Sequence, residues 1–287
     1  MNGKQRVTPS VAFLGISGSY SFFAFQKYFG SASTPSPKIS IEDVFQAVAS
    51  GECERGVVPL ENSTAGSVLE TYDHLLRFQL QLVGEVYLKI HHHLLVKKDK
   101  TINKSFRLSR IAKCFSHPQA FTQCSVFLKK HPKIAQEALS DTARGAQFVS
   151  ESNDPTFSAI AGTLAAKIYR LQILTPRIEN TKENFTRFGI IGRKTGKRGN
   201  KISLLFSLSH VPGSLVKTLL PFAKAHINLT KIESRPVFNH AWEYVFYLDF
   251  DLGEKSIEIK SLLTKLKKHV RFLKILGQYQ KGKTYET

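Results

Sequence analysis

Short apolar runs alternate with amphipathic stretches as far as residue 193, and each change of period marks an element. Residues 11–14 form an apolar strand that ends at Gly15; the loop through Gly18 leads to Ser19-Tyr20-Ser21, where a helix starts and runs to about Phe29. Thr34-Pro35-Ser36-Pro37 reads as a loop. Ser40 with Asp43 has the form of a capping box opening a helix to Ser50. Residues 56–60 are a buried strand with Glu61-Asn62-Ser63 at its C-terminal end. Gly66 leads into a helix whose Val68, Tyr72, Leu75 and Leu76 share one face. Residues 82–96 read as one long extended segment, with His91 and His93 on one face and His92 on the other, strand histidines that meet solvent or a neighbouring carboxylate.

Residues 111–115 are another strand. Pro118 suits the first turn of the helix that follows, Ser116 or His117 would cap it, and Gln119 and Gln123 share a face. Leu139-Ser140 ends a strand, Asp141-Thr142 caps a helix through Val149, residues 160–169 contain a further helix, and residues 188–191 are the last strand of the region. This alternation predicts an α/β fold with a mainly parallel sheet. Ligands in such sheets bind beyond the carboxyl ends of strands, where Glu61, Asn62, Ser116 and Thr142 all fall. After Arg193 the pattern changes. Strands at 202–208, 227–232, 242–250 and 272–276, with helices at 214–225 and 256–269, give the order βαββαβ of a small ferredoxin-like domain.

Composition narrows the function classes. A chain of 287 residues allows about one to three domains. It has no 18-residue apolar run, so no membrane span is expected, and no apolar signal region follows its polar N-terminus; the cytoplasm is the expected address. Cys53, Cys114 and Cys124 are sparse and form no CxxC pair, which argues against a disulfide scaffold and zinc, and they read as small buried apolar residues. The formal charge is +19, yet the cations are scattered. The one dense run is Arg193, Lys194, Lys197, Arg198 and Lys201. It has glycines and no aromatic residue, so residues 194–201 read as a solvated basic linker rather than a nucleic-acid site. The remaining charge suits steering of a small dianion.

The candidate chemistry lies in three runs that only folding can unite: Pro59-Leu60-Glu61-Asn62-Ser63, Ser116-His117-Pro118-Gln119-Ala120 and Asn184-Phe185-Thr186-Arg187-Phe188. They describe a polar pocket with no cysteine nucleophile, metal cluster or cofactor motif. The turn Gly15 to Gly18 lacks the third glycine of a dinucleotide fingerprint. Such a pocket suits a reaction that needs one proton donor and a clamp for a small anion. Along an extended strand Arg187 points the opposite way from Thr186, so it reads either as a carboxylate clamp or as half of a structural ion pair.

The first 193 residues resemble the catalytic domain of prephenate dehydratases. The likeness is carried by Gly15-Ile16-Ser17-Gly18-Ser19-Tyr20-Ser21, residues 56–67, residues 116–124, Asp141-Thr142-Ala143 and Asn184 to Phe188. The last stretch is similar to an ACT regulatory domain, whose two phenylalanine-sensing motifs resemble Gly213-Ser214-Leu215-Val216 and Glu233-Ser234-Arg235-Pro236. Plant-type arogenate dehydratases also look similar, notably at Val83-Gly84-Glu85-Val86. Ile16-Ser17, Arg144-Gly145 and Ser214 depart from the usual motifs.

The resemblance implies a two-lobed, periplasmic-binding-protein-like catalytic domain over residues 10–193. Lobe one covers about 10–86 and 178–193, lobe two about 87–177, and the cleft lies between them; residues 202–280 form the ACT domain. The first strand near residue 11 and the ACT-like C-terminal stretch are expected to leave no place for the fused chorismate mutase helices common in the family.

The resemblance also implies conversion of prephenate to phenylpyruvate under phenylalanine control, with no cofactor and no metal. It gives Thr186 the donor role, with Glu61 as the rival acid and Asn62 as a catalytic partner. Ser21, Ser63, Ser116, Gln123, Thr142, Arg187 and Phe188 would bind substrate. The partners implied are prephenate or arogenate, phenylalanine as effector, and further copies of the chain in a homodimer or homotetramer, without nucleic acid or membrane. A reading of another class, a non-catalytic amino-acid sensor, rests on the use of two-lobed folds as solute-binding modules.

Overall fold

The computed structural model describes residues 8–98, 108–194, 199–237, 240–252 and 259–287, without the side chains of 237 and 240–243. The chain divides into a unit of residues 1–78, 86–190 and 283–287 and a second unit of residues 79–85 and 191–282.

The first unit begins with β1 (Ser10–Leu14), α1 (Tyr20–Phe29), β2 (Thr34–Lys38), α2 (Ile41–Ser50), β3 (Arg55–Asn62), β4 (Gly66–Ser67), α3 (Leu69–Arg77) and β5 (Gln81–Lys89). The predicted capping box forms: Ser40 Oγ accepts from Asp43 N, and the Asp43 carboxylate accepts from Ser40 N. Residues 34–37, expected as a loop, belong to β2, which lies at the edge of its sheet. An edge strand tolerates Pro35 and Pro37 because one of its sides needs no ladder donors.

The expected single strand over 82–96 is divided. β5 stays in the first sheet, residues 90–92 cross over, and β6 (His93–Lys97) opens a second sheet. That sheet is completed by β7 (Lys113–Ser116), β8 (Ala135–Ala138), β9 (Phe157–Ala161) and β10 (Leu171–Thr175). Between these strands run α4 (Pro118–Gln123), α5 (Ser125–Lys130), α6 (Thr142–Glu151) and α7 (Thr163–Ile168). The chain then returns to the first sheet as β11 (Phe185–Gly192), a longer strand than the expected 188–191.

In the first sheet β1 runs parallel to β2 and β3, and residues 284–286 run parallel to β5, with the short β4 antiparallel to β3; the second sheet is mixed rather than mainly parallel. In the second sheet β7 runs parallel to β8 and β9, while β6 is antiparallel to β9 and β10. The strands linked through helices share one direction, because a parallel pair needs a crossover. β6 enters directly from the first sheet and runs against them. Leu94 and Val96 pack into one core, with Phe121 and Cys124. Leu95 packs into another, with Phe115, Ala143 and Ala146. This sheet is therefore covered on both faces. Gly145 lets α6 lie against β7, since a Cβ there would come 2.4 Å from the Phe115 carbonyl oxygen. All three cysteines are buried, as expected of small apolar residues.

The second unit has the predicted βαββαβ order: β12 (Lys201–Ser207), α8 (Ser214–Lys224), β13 (Asn228–Val237), β14 (His240–Asp251), α9 (Ile259–Lys267) and β15 (Phe272–Tyr279). Its antiparallel sheet has the order β13-β14-β12-β15. Phe206, Phe222, Phe250, Leu262 and Leu266 form the core between sheet and helices. One residue of the expected solvated linker behaves otherwise. Lys201 opens β12 and is 2% exposed, with its Nζ 3.2 and 3.0 Å from the two carboxylate oxygens of Glu85. A buried ammonium persists only with such a partner. The centre of that linker, residues 195–198, lies outside the described residues. The last strand, β16 (Thr284–Glu286), returns to the first unit and pairs with β5. Among the described residues no helix is long and apolar enough to cross a membrane.

Candidate active site

Three chain reversals of the first unit meet at one cavity of about 230 Å³. The first is the start of α1, where Ser19 caps the helix by accepting from Phe22 N at 3.2 Å and ties back to the Leu14 carbonyl. The second is the start of α6, where the Asp141 carboxylate accepts from Arg144 N at 2.9 Å. The third is the turn before α4, where His117 Nδ1 accepts from Gln119 N at 3.1 Å. Helix starts leave backbone N–H groups unpaired and carry partial positive charge, so α1 and α6 offer an anion a favourable field. Among the described residues no lysine or arginine lines this cavity.

The polar centre of the cavity joins the first and third of the runs that sequence analysis picked out with Gln123, on the helix that the second run opens. Asn62 Nδ2 donates to Thr186 Oγ1 at 2.9 Å and to the Phe185 carbonyl at 3.1 Å. Asn62 Oδ1 accepts from the backbone N–H groups of Thr64 and Ala65, both at 3.0 Å. Backbone partners on both sides fix which way this amide faces. Gln123 Nε2 donates to Asn62 Oδ1 at 3.3 Å and to Thr64 Oγ1 at 2.8 Å. Among the described residues the Thr186 hydroxyl serves only as an acceptor, which leaves its proton for the cavity.

Of the expected site residues, Ser21, Asn62, Gln123, Thr142, Thr186 and Phe188 line the cavity; Glu61, Ser63, Ser116 and Arg187 do not. Arg187 lies on the other face of β11 from Thr186, 3% exposed, with Nη1 3.2 Å from Glu61 Oε1. The alternation of strand side chains that separates Thr186 from Arg187 also separates Asn62 from Glu61. Ser116 is fully buried and donates to the Ile160 carbonyl at 2.6 Å, tying β7 to β9. Ser63 donates to the Glu183 carbonyl and accepts from Phe185 N, holding the approach to β11.

The cavity also contains groups to which sequence analysis gave no individual role, His117 and Gln119 of the second run among them. Tyr20, His92, His117, Gln119, Ser140 and Asp141 all line it. The three consecutive histidines are each buried rather than in contact with solvent, and the other expectation, a neighbouring carboxylate, holds for His91. His91 meets the Glu179 carboxylate at 2.8 Å, His93 Nδ1 accepts from Arg177 N at 3.0 Å, and His92 turns into the cavity. Burial holds the His92 imidazole below its ordinary range, hence neutral, and lowers His93 to about 4. Burial raises the Asp141 carboxyl, against the opposing backbone donors of Arg144 and Ala143. The signal for His92 was its place at a sheet-to-sheet crossing, which becomes visible only once β5 and β6 are known to part.

The second unit has a cavity of about 700 Å³, walled mainly by residues 208–216 with Tyr244, Phe246 and Arg271. Gly213, at φ +79°, turns the chain into α8 in a conformation that glycine adopts freely. Gly213, Ser214, Leu215 and Val216 line this cavity. Glu233, Ser234, Arg235 and Pro236 lie on β13 and do not line it, although Ser234 and Pro236 pair in register with Phe246 and Tyr244, which do; Glu233 pairs with Lys231 at 2.8 Å.

A two-sheet α/β unit with a polar cavity lined by neutral and acidic side chains, joined to a ferredoxin-like unit, defines a small-molecule enzyme with an appended βαββαβ domain. The model of the family described as prephenate dehydratase matches residues 11–196, and the chain belongs to that family. It is 40% identical over 278 residues to a bifunctional chorismate mutase/prephenate dehydratase of Pseudomonas aeruginosa, covering 95% of this chain and 73% of that protein. It is 39% identical to a prephenate dehydratase of Methanocaldococcus jannaschii, covering 84% of this chain and 85% of that one. Among solved structures, a prephenate dehydratase from Arthrobacter aurescens in complex with L-Phe is 27% identical with a TM-score of 0.81, covering 94% of this chain and 90% of that one.

Proposed function

We propose that the first unit catalyses the decarboxylating dehydration of prephenate to phenylpyruvate. Prephenate has a cyclohexadiene ring, with a carboxylate and a pyruvyl arm on one carbon and a hydroxyl on the opposite carbon. As the carboxylate leaves as carbon dioxide, its bonding electron pair moves into the ring and the opposite C–O bond breaks. The departing oxygen takes one proton and leaves as water, and the ring becomes aromatic. The observation that carries this reading is the Asn62–Gln123–Thr186 cluster, in which Asn62 engages the Thr186 oxygen and leaves its hydroxyl proton for the cavity. Thr186 is the hydrogen-bond donor to the departing oxygen and keeps its own proton; the proton that completes the water is taken up from solvent. Glu61 supports the strand through its pair with Arg187 rather than acting as the acid. The helix starts of α1 and α6 hold the carboxylates. Ser21, Thr142 and Phe188 complete the substrate wall.

Arogenate is a second reading, favoured by one observation. The Asp141 carboxyl lines the cavity, and an ammonium group would pair with it where the ketone of prephenate would not. Side-by-side turnover of the two substrates tests both; turnover of neither overturns the assignment.

The second unit acts as an ACT domain that takes phenylalanine. The L-Phe complex of the Arthrobacter relative and the cavity walled by Gly213 to Val216 support this. Exposed Val211, Val216 and Tyr244 at that cavity suit pairing of ACT units in an even-numbered assembly. The site of action is the cytoplasm. Rates with and without millimolar phenylalanine, together with the oligomeric mass, test these assignments.

A further inference from the structure

His92 lies between two named groups and touches both. Its Nδ1 is 3.0 Å from Tyr20 Oη, and its Nε2 is 2.8 Å from Gln123 Oε1. Both ring nitrogens are engaged, so His92 does not itself reach a substrate. It is 2% exposed, and burial keeps it neutral, so the ring carries one N–H. Where that proton sits follows from the backbone. Thr64 N and Ala65 N donate to Asn62 Oδ1, which fixes that oxygen in place. Gln123 must therefore present its nitrogen to Asn62, and its oxygen faces His92. An oxygen there accepts only from an N–H, so the His92 proton is on Nε2. Nδ1 is then an acceptor, and the single Tyr20 hydroxyl proton is shared between it at 3.0 Å and the His91 carbonyl, to which the hydroxyl donates at 2.8 Å.

The donors thus run in one direction, His92 to Gln123, Gln123 to Asn62 and Asn62 to Thr186, with the shared Tyr20 hydroxyl at the head. We propose that His92 is a positioning residue for the reaction: the backbone around Asn62 sets the direction of the chain, and His92, by donating to the Gln123 oxygen, holds the Gln123 amide against Asn62 and so steadies the Asn62–Thr186 pair that aims the Thr186 hydroxyl at the departing oxygen. Hydrogen bonds aligned head to tail polarise one another, so each member strengthens the next donor. Without an N–H at the Nε2 position the Gln123 oxygen loses the donor that anchors the amide from the other side. The chain connects residues 72 apart at its first step and 124 apart at its last. The inference rests on the dehydratase reading given above.

The test is a set of substitutions in the full-length chain, read by kcat and KM separately. His92→Phe keeps the ring shape and removes both nitrogens; kcat is expected to fall about a hundredfold, the scale of a misplaced catalytic group, with KM little changed. His92→Gln returns an N–H near the Nε2 position and is expected to cost less than about tenfold. In a Thr186→Ala background His92→Phe is expected to add less than about twofold, because it acts through that hydroxyl. Tyr20→Phe removes one hydroxyl without changing packing; it should cost about three- to tenfold and carries the test if His92→Phe does not fold.

A drop in rate for His92→Phe that is equal in both backgrounds would mean a general structural role and overturn the proposal. So would turnover by the folded His92→Phe variant within about twofold of the parent, or by Tyr20→Phe if that variant carries the test. Absence of turnover by the unsubstituted protein on either substrate overturns the dehydratase reading itself, and this inference with it.

Discussion

The two cavities of this protein handle polarity in opposite ways. In the first unit Asn62, Gln123, Thr186, His92 and Tyr20 come from separate parts of the chain, and each is bonded to another of them. In the second unit one continuous loop, residues 208–216, forms most of the wall. Val216 there is 64% exposed and Val211 60%. A reaction site must hold its groups in place before substrate arrives, and mutual hydrogen bonds do this. A sensing site gains its response from surfaces that the ligand or a second copy has yet to cover. The contrast makes rate the sensitive quantity in the first unit and ligand response the sensitive quantity in the second.

The largest expected effect tests the first half of that contrast. Thr186→Ala should lower kcat by about 10²- to 10⁴-fold, with a thermal midpoint close to that of the parent; a rate within a few-fold of the parent would remove Thr186 as donor. Next in size is the ion pair buried in the second unit. Replacing Lys201 by Met leaves the Glu85 carboxylate buried with one partner fewer, and the loss should be about 3–5 kcal/mol in denaturant unfolding. Replacing both Lys201 and Glu85 by apolar residues should recover much of it.

A smaller effect belongs to pH. His93 is lowered by burial to about 4 from an ordinary value of 6.5, while Glu179 opposes the shift and His91, His92 and Arg177 add to it. A depressed value in the folded state means the unfolded chain takes up the proton first. The stabilisation is whole above about pH 6.5 and is lost as pH falls toward 4. The melting temperature should decline over that window, and His93→Leu should flatten part of the decline. Smallest is Gly213→Ala. The new Cβ meets no atom closer than 4.0 Å, so the cost is that of a left-handed residue, about 1 kcal/mol. The measurable consequence should be a weaker response to phenylalanine, because the cavity wall shifts with the turn.

Much of this protein is written in local pattern. The caps Ser40 and Asp141, the helix opened by Pro118 and the order βαββαβ follow from residue types at fixed offsets, since backbone hydrogen bonding has short, repeating periods. Strand alternation was enough to set Thr186 and Arg187 on opposite faces. The motif runs also identified the family.

Other features depend on partners far away in the chain. Ser116 sits in a motif run, yet its hydroxyl binds Ile160; Lys201 sits in a basic run, yet it is buried against Glu85. His92 looks like either neighbouring histidine until β5 and β6 part into different sheets. Sequence by itself determined the elements, their order and the chemical types available. Tertiary structure decided which side chains meet, because hydrogen bonds and burial depend on distance in space, and residues 61 to 124 positions apart acquire one only when the chain folds.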